Sequence, residues 1–174
     1  EDDSGYTTTT ILPGDSGDYS AQNGLAVHDG YAYLTTEHNG GDILKIDLDT
    51  DSVVSRFDAP DGNANGLAYG DGSLWFSDGV GTAYDGEIVE MDPNTGEILS
   101  RIDTSYDPTG LAYGEGSLWV ADITFNDIIE YTPSGDKVSE FDVRGPTGTT
   151  TPSGLAYFDG SIWLGELCCA ASLY

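Results

Sequence analysis

Short runs of alternating apolar and polar residues recur along this chain, and tight turns separate them. The clearest set occupies residues 65–69, 73–77, 86–91 and 97–102. This alternation is typical of strands whose two faces have different surroundings. The connections contain Gly70-Asp71-Gly72 and Asp92-Pro93-Asn94-Thr95-Gly96, where glycine, proline, aspartate and asparagine suit tight turns. No segment shows a convincing helical period, so the pattern predicts an all-β protein.

The same unit occurs four times. Gly24-Leu25-Ala26 is repeated at Gly66, Gly110 and Gly154, with spacings of 42, 44 and 44 residues. The units begin near residues 23, 65, 109 and 153. A period in the forties that consists only of strand-like segments is typical of propeller blades with four strands each. The sequence therefore predicts one domain, residues 1–174, folded as a four-bladed β-propeller.

The fourth copy is incomplete. Residues 154–157 and 161–165 supply two strands and residues 172–174 supply part of a third, but the chain has no outer strand after them. A spare outer strand lies at the other end, within residues 6–13, where Ile11 precedes Gly24 by the same 13 positions that separate Phe141 from Gly154. We expect this N-terminal strand to complete the last blade, which removes two unpaired sheet edges.

The segment from Gly66 to Asp78, GLAYGDGSLWFSD, resembles the repeats of NHL-like and virginiamycin B lyase-like propellers. It is also similar to repeats of glutaminyl cyclotransferase-type propellers. The resemblance implies a propeller blade, and it makes a metal-dependent lyase or cyclase one function to consider. The lyase relatives depend on a histidine and a metal. No histidine motif of theirs matches this chain, so the resemblance assigns no catalytic residue.

Charge narrows the choice of partners and surroundings. The chain has 31 acidic and 5 basic residues, giving a formal net charge of -26. Coulomb repulsion opposes binding to nucleic acid or to anionic membrane surfaces. Salt screens such repulsion, with a Debye length of about 3 Å at 1 M. The composition resembles that of proteins from halophilic archaea or bacteria, and an ordinary acidic secreted protein is the alternative.

Membrane insertion is not expected, because no apolar run approaches the ~20 residues that a spanning helix needs. The first residues, 1–5, have neither a basic start nor an apolar stretch, which fits an exported chain whose leader has been removed. The threonine-rich segments 6–10 and 149–152 are typical of an exposed surface. We therefore expect an extracellular or cell-surface location.

Carboxylates recur where the second strand of a unit ends. Three copies have Asp78, Asp122 and Glu166 there, and the first copy has Thr36 followed by Glu37. The inner ends of propeller strands converge near the axis, where several carboxylates would repel one another without a cation. Oxygen ligands suit calcium or magnesium. The pattern predicts a calcium site at Asp78, Asp122, Glu166 and Glu37, and the alternative is that these acids simply face solvent.

A second acidic stretch, residues 47–51 with Asp58, resembles the opening of a calcium loop. Its sixth position is Ser52 rather than glycine, so an acidic hairpin tip is the better interpretation.

The tryptophans Trp75, Trp119 and Trp163 repeat in register, and Tyr33 takes that place in the first copy. Large aromatic residues repeated in this way predict core packing between blades.

Cys168 and Cys169 are adjacent and are the only cysteines of the sequence. They suit a disulfide with each other or disulfides to a neighbouring subunit, since an exported chain permits both. A buried pair of thiols is the alternative. Metal binding is weaker, because no other soft ligand lies nearby in the sequence.

The sequence has no nucleophile elbow, phosphate loop or HExxH helix, so it favours a protein that is not an enzyme. Three functions remain. The first is an extracellular structural or adhesive protein that associates with itself, in its most specific form as a surface polymer or fibre. The second is a module that binds a small ligand or cation at the axis. The third is a metal-dependent lyase or cyclase.

Overall fold

The computed structural model describes residues 23–36, 41–59, 64–79, 86–104, 107–144 and 151–166. These residues form fourteen β-strands and no helix. The first sheet contains β1 (Leu25–His28), β2 (Tyr31–Thr36), β3 (Asp42–Asp47) and β4 (Ser52–Asp58). The second contains β5 (Ala64–Gly70), β6 (Ser73–Asp78), β7 (Glu87–Met91) and β8 (Ile98–Asp103). The third contains β9 (Pro108–Gly114), β10 (Ser117–Asp122), β11 (Asp127–Tyr131) and β12 (Lys137–Asp142). The fourth contains β13 (Pro152–Phe158) and β14 (Ser161–Glu166).

Each sheet is an antiparallel meander in which neighbours in sequence are neighbours in space. Three sheets have four strands, and the described part of the fourth sheet has two. Successive sheets pack through their first strands, β1 on β5, β5 on β9 and β9 on β13. This arrangement confirms the predicted all-β, four-bladed β-propeller, with one blade for each copy of the repeat. The N-terminal strand, residues 6–13, and its expected neighbour, residues 172–174, lie outside the described residues.

The turn between the first two strands of each blade follows from its sequence. Asp71 and Gly72 have φ angles of 51° and 83°. The same left-handed pair occurs at Asp29-Gly30, Glu115-Gly116 and Asp159-Gly160. Two consecutive residues with positive φ match the twist of the strands that they connect, and glycine at the second place adopts this conformation without steric cost. The repeated turn therefore fixes the register of each inner hairpin.

Most of the hydrophobic core lies between blades, and a smaller cluster of Ala32, Leu44 and Ile46 lies on the face of the first blade that points away from the second. One cluster joins the first two blades and includes Ala26, Tyr33, Ile43, Phe57, Leu67, Leu74, Phe76, Val89 and Met91. A second joins the second and third blades and includes Ala68, Trp75, Ile88, Ile102, Leu111, Leu118, Val120, Ile129 and Tyr131. Since side chains alternate between the faces of a strand, each blade contributes one face to the blade before it and the other face to the blade after it.

No helix in the described part of the chain is long and apolar enough to span a bilayer.

We call the face of a blade that packs on the following blade its leading face, and the opposite face its trailing face. Gly66 shows the direction, because its missing side chain points at the carbonyl of Thr109 and the N–H of Leu111 in the third blade.

Candidate functional site

The carboxylates predicted to bind calcium do occupy equivalent places. Asp78 ends β6 opposite Ala64, and Asp122 ends β10 opposite Pro108. Both side chains are buried, whereas Glu166 at the end of β14 is exposed. The first blade has the buried Thr36 at this position. Its neighbour Glu37, the fourth predicted ligand, lies outside the described residues.

Asp122 is the carboxylate with the clearest electrostatic signature. Its Oδ1 accepts a hydrogen bond from the N–H of Thr124 at 2.6 Å. Its Oδ2 is buried, and no hydrogen-bond donor among the described residues reaches it. Burial raises the pKa of Asp122 above its usual value, hydrogen bonds from Thr124 and Phe125 partly oppose this rise, and the charge of Asp107 adds to it.

The described ranges bring together no group of three or more histidine, cysteine, aspartate or glutamate side chains that is able to hold a metal ion. The predicted calcium site therefore stays a prediction.

The acidic stretch at residues 47–51 is a hairpin turn, as the sequence suggested. Asp47 Oδ1 accepts hydrogen bonds of 2.9 Å from the N–H groups of Asp49 and Thr50, and the bonds from Thr50 are the main cause of its lowered pKa.

The junctions between blades are the most regular feature of the molecule. Thr35 Oγ1 accepts a hydrogen bond of 2.7 Å from the N–H of Gly24 in its own blade and donates to the carbonyl of Asn65 in the next blade at 3.3 Å. Ser77 repeats this bridge between the second and third blades and donates to the carbonyl of Thr109 at 2.8 Å. A hydroxyl on the second strand thus ties each of these blades to its successor.

The third junction uses a different hydroxyl because its second strand has Ala121 at that position. The single hydroxyl proton of Thr109 lies between two acceptors, the carbonyl of Ala121 at 3.3 Å from Oγ1 and that of Pro152 in the fourth blade at 3.0 Å. The fourth blade has Gly165 at the corresponding position, and Ser153, which takes the place of Thr109, donates its hydroxyl to the carbonyl of Gly165 at 3.3 Å. Sequence reasoning missed these bridges, although alignment of the four copies shows the Thr, Ser, Ala and Gly series.

A lysine strengthens the first junction. Lys45 is buried, and its Nζ donates to the carbonyl of Pro93 at 3.1 Å and to Asn94 Oδ1 at 3.0 Å, both in the β7–β8 turn. The same ammonium lies 4.4 Å from the ring centre of Tyr31 and 5.6 Å from that of Tyr33. These contacts place a positive charge inside a strongly acidic molecule and use it to link two blades.

Bulky and small side chains interlock at each junction. His28 of the first blade stacks on Tyr69 of the second, with ring centroids 3.7 Å apart. At the two following junctions glycine takes the place of His28: Gly70 leaves room for the ring of Tyr113, and a Cβ on Gly114 would overlap the ring of Tyr157. The fourth blade has Phe158 at this position.

The two blade faces at the ends of the arc expose apolar side chains to different extents. The leading face of the fourth blade exposes 72% of Phe158 and 64% of Trp163, and no atom lies within 4 Å of where a Cβ of Gly154 would be. The trailing face of the first blade exposes 62% of Leu25 and 60% of Val27 on its innermost strand, whereas Ala32, Leu44 and Ile46 on the same face are buried. The prediction that the repeated tryptophans pack between blades is correct for Trp75, which is 1% exposed. Trp163 differs, because no blade among the described residues packs on its face.

A cleft of about 690 Å³ opens between the third and fourth blades. It is lined mainly by apolar residues, including Trp119, Ile128, Phe141, Val143, Tyr157 and Leu164. The equivalent space in the earlier junctions is filled by the third and fourth strands of the following blade.

Cys168 and Cys169, for which a disulfide or free thiols were considered, lie outside the described residues.

Comparison with solved structures supports the fold. The chain is similar to the glutaminyl cyclase of Myxococcus xanthus, with 20% identity, a TM-score of 0.67, and coverage of 83% of this chain and 60% of that chain. It is similar to a streptogramin B lyase at 25% identity and a TM-score of 0.62, over 83% of this chain and 48% of that chain. It is also similar to the computationally designed Ika4 protein, with 18% identity, a TM-score of 0.63, and coverage of 87% of this chain and 89% of that chain.

The cyclase and the lyase are β-propellers, so the class of this protein is a β-propeller built from blade repeats. The chain spans between about half and three fifths of the length of these two structures. No protein-family model and no curated protein matches the sequence.

Proposed function

We propose that this protein is a structural or adhesive module of the cell exterior that works by associating with itself. The observation that carries the proposal is the apolar leading face of the fourth blade, which exposes Phe158 and Trp163. The innermost strand of the first blade adds the exposed Leu25 and Val27 at the other end. Contiguous apolar surface on a soluble protein marks an interaction site. In this chain it stands out, because the rest of the composition is strongly acidic.

The charge of -26 sets the conditions for association. At low ionic strength two such chains repel each other, and at molar salt the repulsion is screened beyond about 3 Å. Apolar burial then dominates, and strongly hydrated salts strengthen it further. This balance suits a protein of a saline exterior, where the surroundings themselves supply the screening. Adhesion to a surface and assembly into a polymer or fibre both fit such a module.

Light scattering of the full chain tests the proposal. We expect particles heavier than one chain in molar sodium chloride, and dissociation on transfer to dilute buffer. Trp163→Asp should abolish association, whereas Leu99→Asp should not, because Leu99 is 51% exposed but lies on the outer strand β8. Addition of a reducing agent separates apolar association from cross-linking through Cys168 and Cys169. A mass of one chain under every condition would overturn the proposal.

Cation binding at the axis is a second candidate, favoured by the buried Oδ2 of Asp122 that no described donor satisfies. A cation there would replace the missing donors and stabilise the charged carboxylate. The test is the melting temperature in calcium chloride against sodium chloride of equal ionic strength. A calcium-specific rise that Asp122→Asn removes would support the candidate, and equal curves for the two salts would exclude it.

A further inference from the structure

We infer that the hydroxyls of Thr35 and Ser77 protect two asparagine–glycine bonds of the chain, Asn23-Gly24 and Asn65-Gly66, from deamidation. The reaction takes place between a single chain and water, so the inference does not depend on the proposed self-association. It gives the hydroxyl bridges between blades a chemical role in addition to their structural one.

Deamidation begins at the backbone nitrogen of the residue that follows an asparagine. This nitrogen loses its proton and attacks Cγ of the asparagine side chain, the new N–C bond closes a five-membered succinimide ring, and Nδ2 takes up a proton and leaves as ammonia. Solvent water then opens the ring at one of its two carbonyls and yields aspartate or isoaspartate. Glycine after asparagine favours the reaction, because it has no side chain to hinder ring closure. Restraint of the glycine N–H therefore slows the first step.

The two bonds occupy equivalent places at the beginning of the innermost strands of the first and second blades. Asn23 is exposed and Asn65 is half-buried, so solvent reaches both side chains. Gly24 and Gly66 are buried against the following blade. The nucleophilic nitrogen is thus the part of each bond that the fold is able to restrain.

Ser77 restrains the nitrogen of Gly66. A β-bulge interrupts the pairing of β5 with β6 between Ala64 and Leu67, and the N–H of Gly66 donates to Ser77 Oγ at 2.8 Å. Ser77 is fully buried, and its own hydroxyl donates to the carbonyl of Thr109 in the third blade at 2.8 Å. A hydroxyl that is held by the next blade in this way stays in place as the acceptor for the glycine N–H.

Thr35 restrains the nitrogen of Gly24 in the same manner. Its Oγ1 accepts hydrogen bonds from the N–H groups of Gly24 at 2.7 Å and Asn23 at 3.3 Å, and it donates to the carbonyl of Asn65 at 3.3 Å. The N–H of Thr35 donates to the carbonyl of Gly24 at 3.1 Å. Gly24 is therefore held on both sides, and its nitrogen is able to turn toward the side chain of Asn23 only by breaking a buried hydrogen bond.

The four copies of the repeat combine the two features consistently. Copies with a hydroxyl residue at this position of the second strand have an asparagine before the innermost glycine, and copies without one do not. The pairs are Asn23 with Thr35, Asn65 with Ser77, Thr109 with Ala121, and Ser153 with Gly165. Among the described residues, the reactive dipeptide thus occurs where a hydroxyl of the second strand accepts the glycine N–H.

Reaction at these bonds would damage the first junction between blades. Asn23 Nδ2 donates to Asn65 Oδ1 at 3.3 Å, so both amides already take part in the contact. Aspartate would place another negative charge there, and isoaspartate would insert an extra carbon into the strand backbone. The junction has no room for such an insertion, since even a Cβ on Gly24 would lie 2.3 Å from the carbonyl oxygen of Asn65.

The test compares deamidation rates in variants of the full chain. Thr35→Val and Ser77→Ala each remove one hydroxyl, and both chains are incubated with the parent at mildly alkaline pH, which favours loss of the glycine proton. Peptide mapping by mass spectrometry resolves asparagine, aspartate and isoaspartate at each site. We expect Ser77→Ala to accelerate the reaction at Asn65 by about two- to tenfold, the factor that corresponds to loss of one hydrogen bond. Thr35→Val should act in the same way at Asn23, and each variant should affect its own asparagine more than the other.

Two further variants separate local protection from a general loosening of the junctions. Thr109→Val removes the hydroxyl of the third junction, where no asparagine precedes the glycine, and it keeps the carbonyl that Ser77 contacts. We expect it to leave both deamidation rates unchanged. Thr35→Ser keeps the hydroxyl and should retain the protection of Asn23. Melting curves establish that each variant is folded at the incubation temperature, and the parent chain in urea gives the unprotected rate.

The pattern of rates decides the inference. Slow reaction in the parent, with acceleration at the matching asparagine in each variant and recovery in Thr35→Ser, would support it. Parent rates equal to those in urea, or rates that Thr35→Val and Ser77→Ala leave unchanged, would overturn it. Acceleration at Asn65 by Thr109→Val as large as that by Ser77→Ala would also overturn it, because loosened junctions would then explain the reaction. If Ser77→Ala does not fold, the comparison of Thr35→Val with Thr35→Ser at Asn23 decides alone.

Discussion

The ring of Tyr113 on the third blade occupies the space that a side chain at Gly70 of the second blade would fill. Gly114 and Tyr157 repeat this relationship one junction later. At two of the three described junctions the blades are therefore joined by the interlocking of an aromatic ring with a missing side chain, whereas at the first junction His28 stacks on Tyr69.

Substitution of Gly70 tests this interlocking. Gly70 does not have a positive φ, so Gly70→Ala introduces no backbone strain, and its effect reports the overlap with Tyr113 alone. We expect a loss of about 1–3 kcal/mol in the free energy of unfolding, measured by urea denaturation. In the double variant with Tyr113→Ala the added methyl should cost much less. Additive losses would show that the two residues do not interlock.

The inner-strand glycines give a second comparison with an internal control. A Cβ on Gly66 would overlap the carbonyl of Thr109, which is backbone and cannot turn aside, whereas a Cβ on Gly154 meets nothing within 4 Å. We expect Gly66→Ala to lower the free energy of unfolding by about 1–3 kcal/mol or more. For separate chains in dilute buffer, Gly154→Ala should stay within about 0.5 kcal/mol of the parent.

The same pair bears on assembly. If the leading face of the fourth blade packs as the others do, Gly154→Ala should weaken association at molar salt while the single arc stays as stable as the parent. Equal unfolding losses for the two variants in dilute buffer would contradict the structural description of the fourth blade.

Asp122 predicts a pH dependence of stability. Its pKa is raised in the folded chain by burial, so the folded state holds the proton to higher pH than the unfolded state does. Stability from this group is therefore greatest below the ordinary aspartate pKa and declines as pH rises through the raised value. Asp122→Asn keeps an oxygen for the N–H of Thr124 and removes the buried charge. We expect it to stabilise the fold at pH 7 by on the order of 1 kcal/mol, with the gain vanishing near pH 3.

Asp47 is the matched control with the opposite sign. Hydrogen bonds from Thr50 lower its pKa, so its contribution is present above the ordinary pKa and is lost as pH falls through the lowered value. Asp47→Asn should therefore destabilise the fold slightly at pH 7 and leave it unchanged in acid. Thermal melts of both variants between pH 3 and 7 check these signs. A shift in the same direction for both would refute the assignment.

Much of this fold can be predicted from the sequence because each copy of the repeat has the same local requirements. The turn at Asp71-Gly72 needs positive φ, the position of Gly66 needs a missing side chain, and the register of Trp75 marks the buried second strand. All three signals are local. What the sequence does not show is how far each blade turns relative to the last, since that angle arises from contacts such as Thr35 to Asn65 between copies.

The candidate site shows the same limit. Equivalent positions for Asp78 and Asp122 follow from the alignment of copies. Their convergence into a metal site does not follow, because it depends on the spacing of strand ends in three dimensions. Likewise, the position of Trp163 in the repeat predicts that its side chain is buried, yet it is exposed. Burial requires a neighbouring blade, and the repeat that contains Trp163 does not specify which surface covers it.

Salt dependence of folding is the last prediction, and it does not depend on assembly. The chain has 31 acids and 5 bases, and one of these bases, Lys45, is already used inside a blade junction. Folding concentrates the unpaired negative charge, so dilute buffer should lower the melting temperature, and screening should restore it. We expect most of the rise in melting temperature between dilute buffer and about 1 M sodium chloride, where the Debye length falls to about 3 Å.

Tetramethylammonium chloride screens equally well at the same ionic strength and should raise the melting temperature in the same way if screening is the cause. The measurement should be repeated at several protein concentrations, because a melting temperature that depends on concentration reports association as well. A melting temperature that stays flat with both salts would show that self-repulsion contributes little to the stability of this fold.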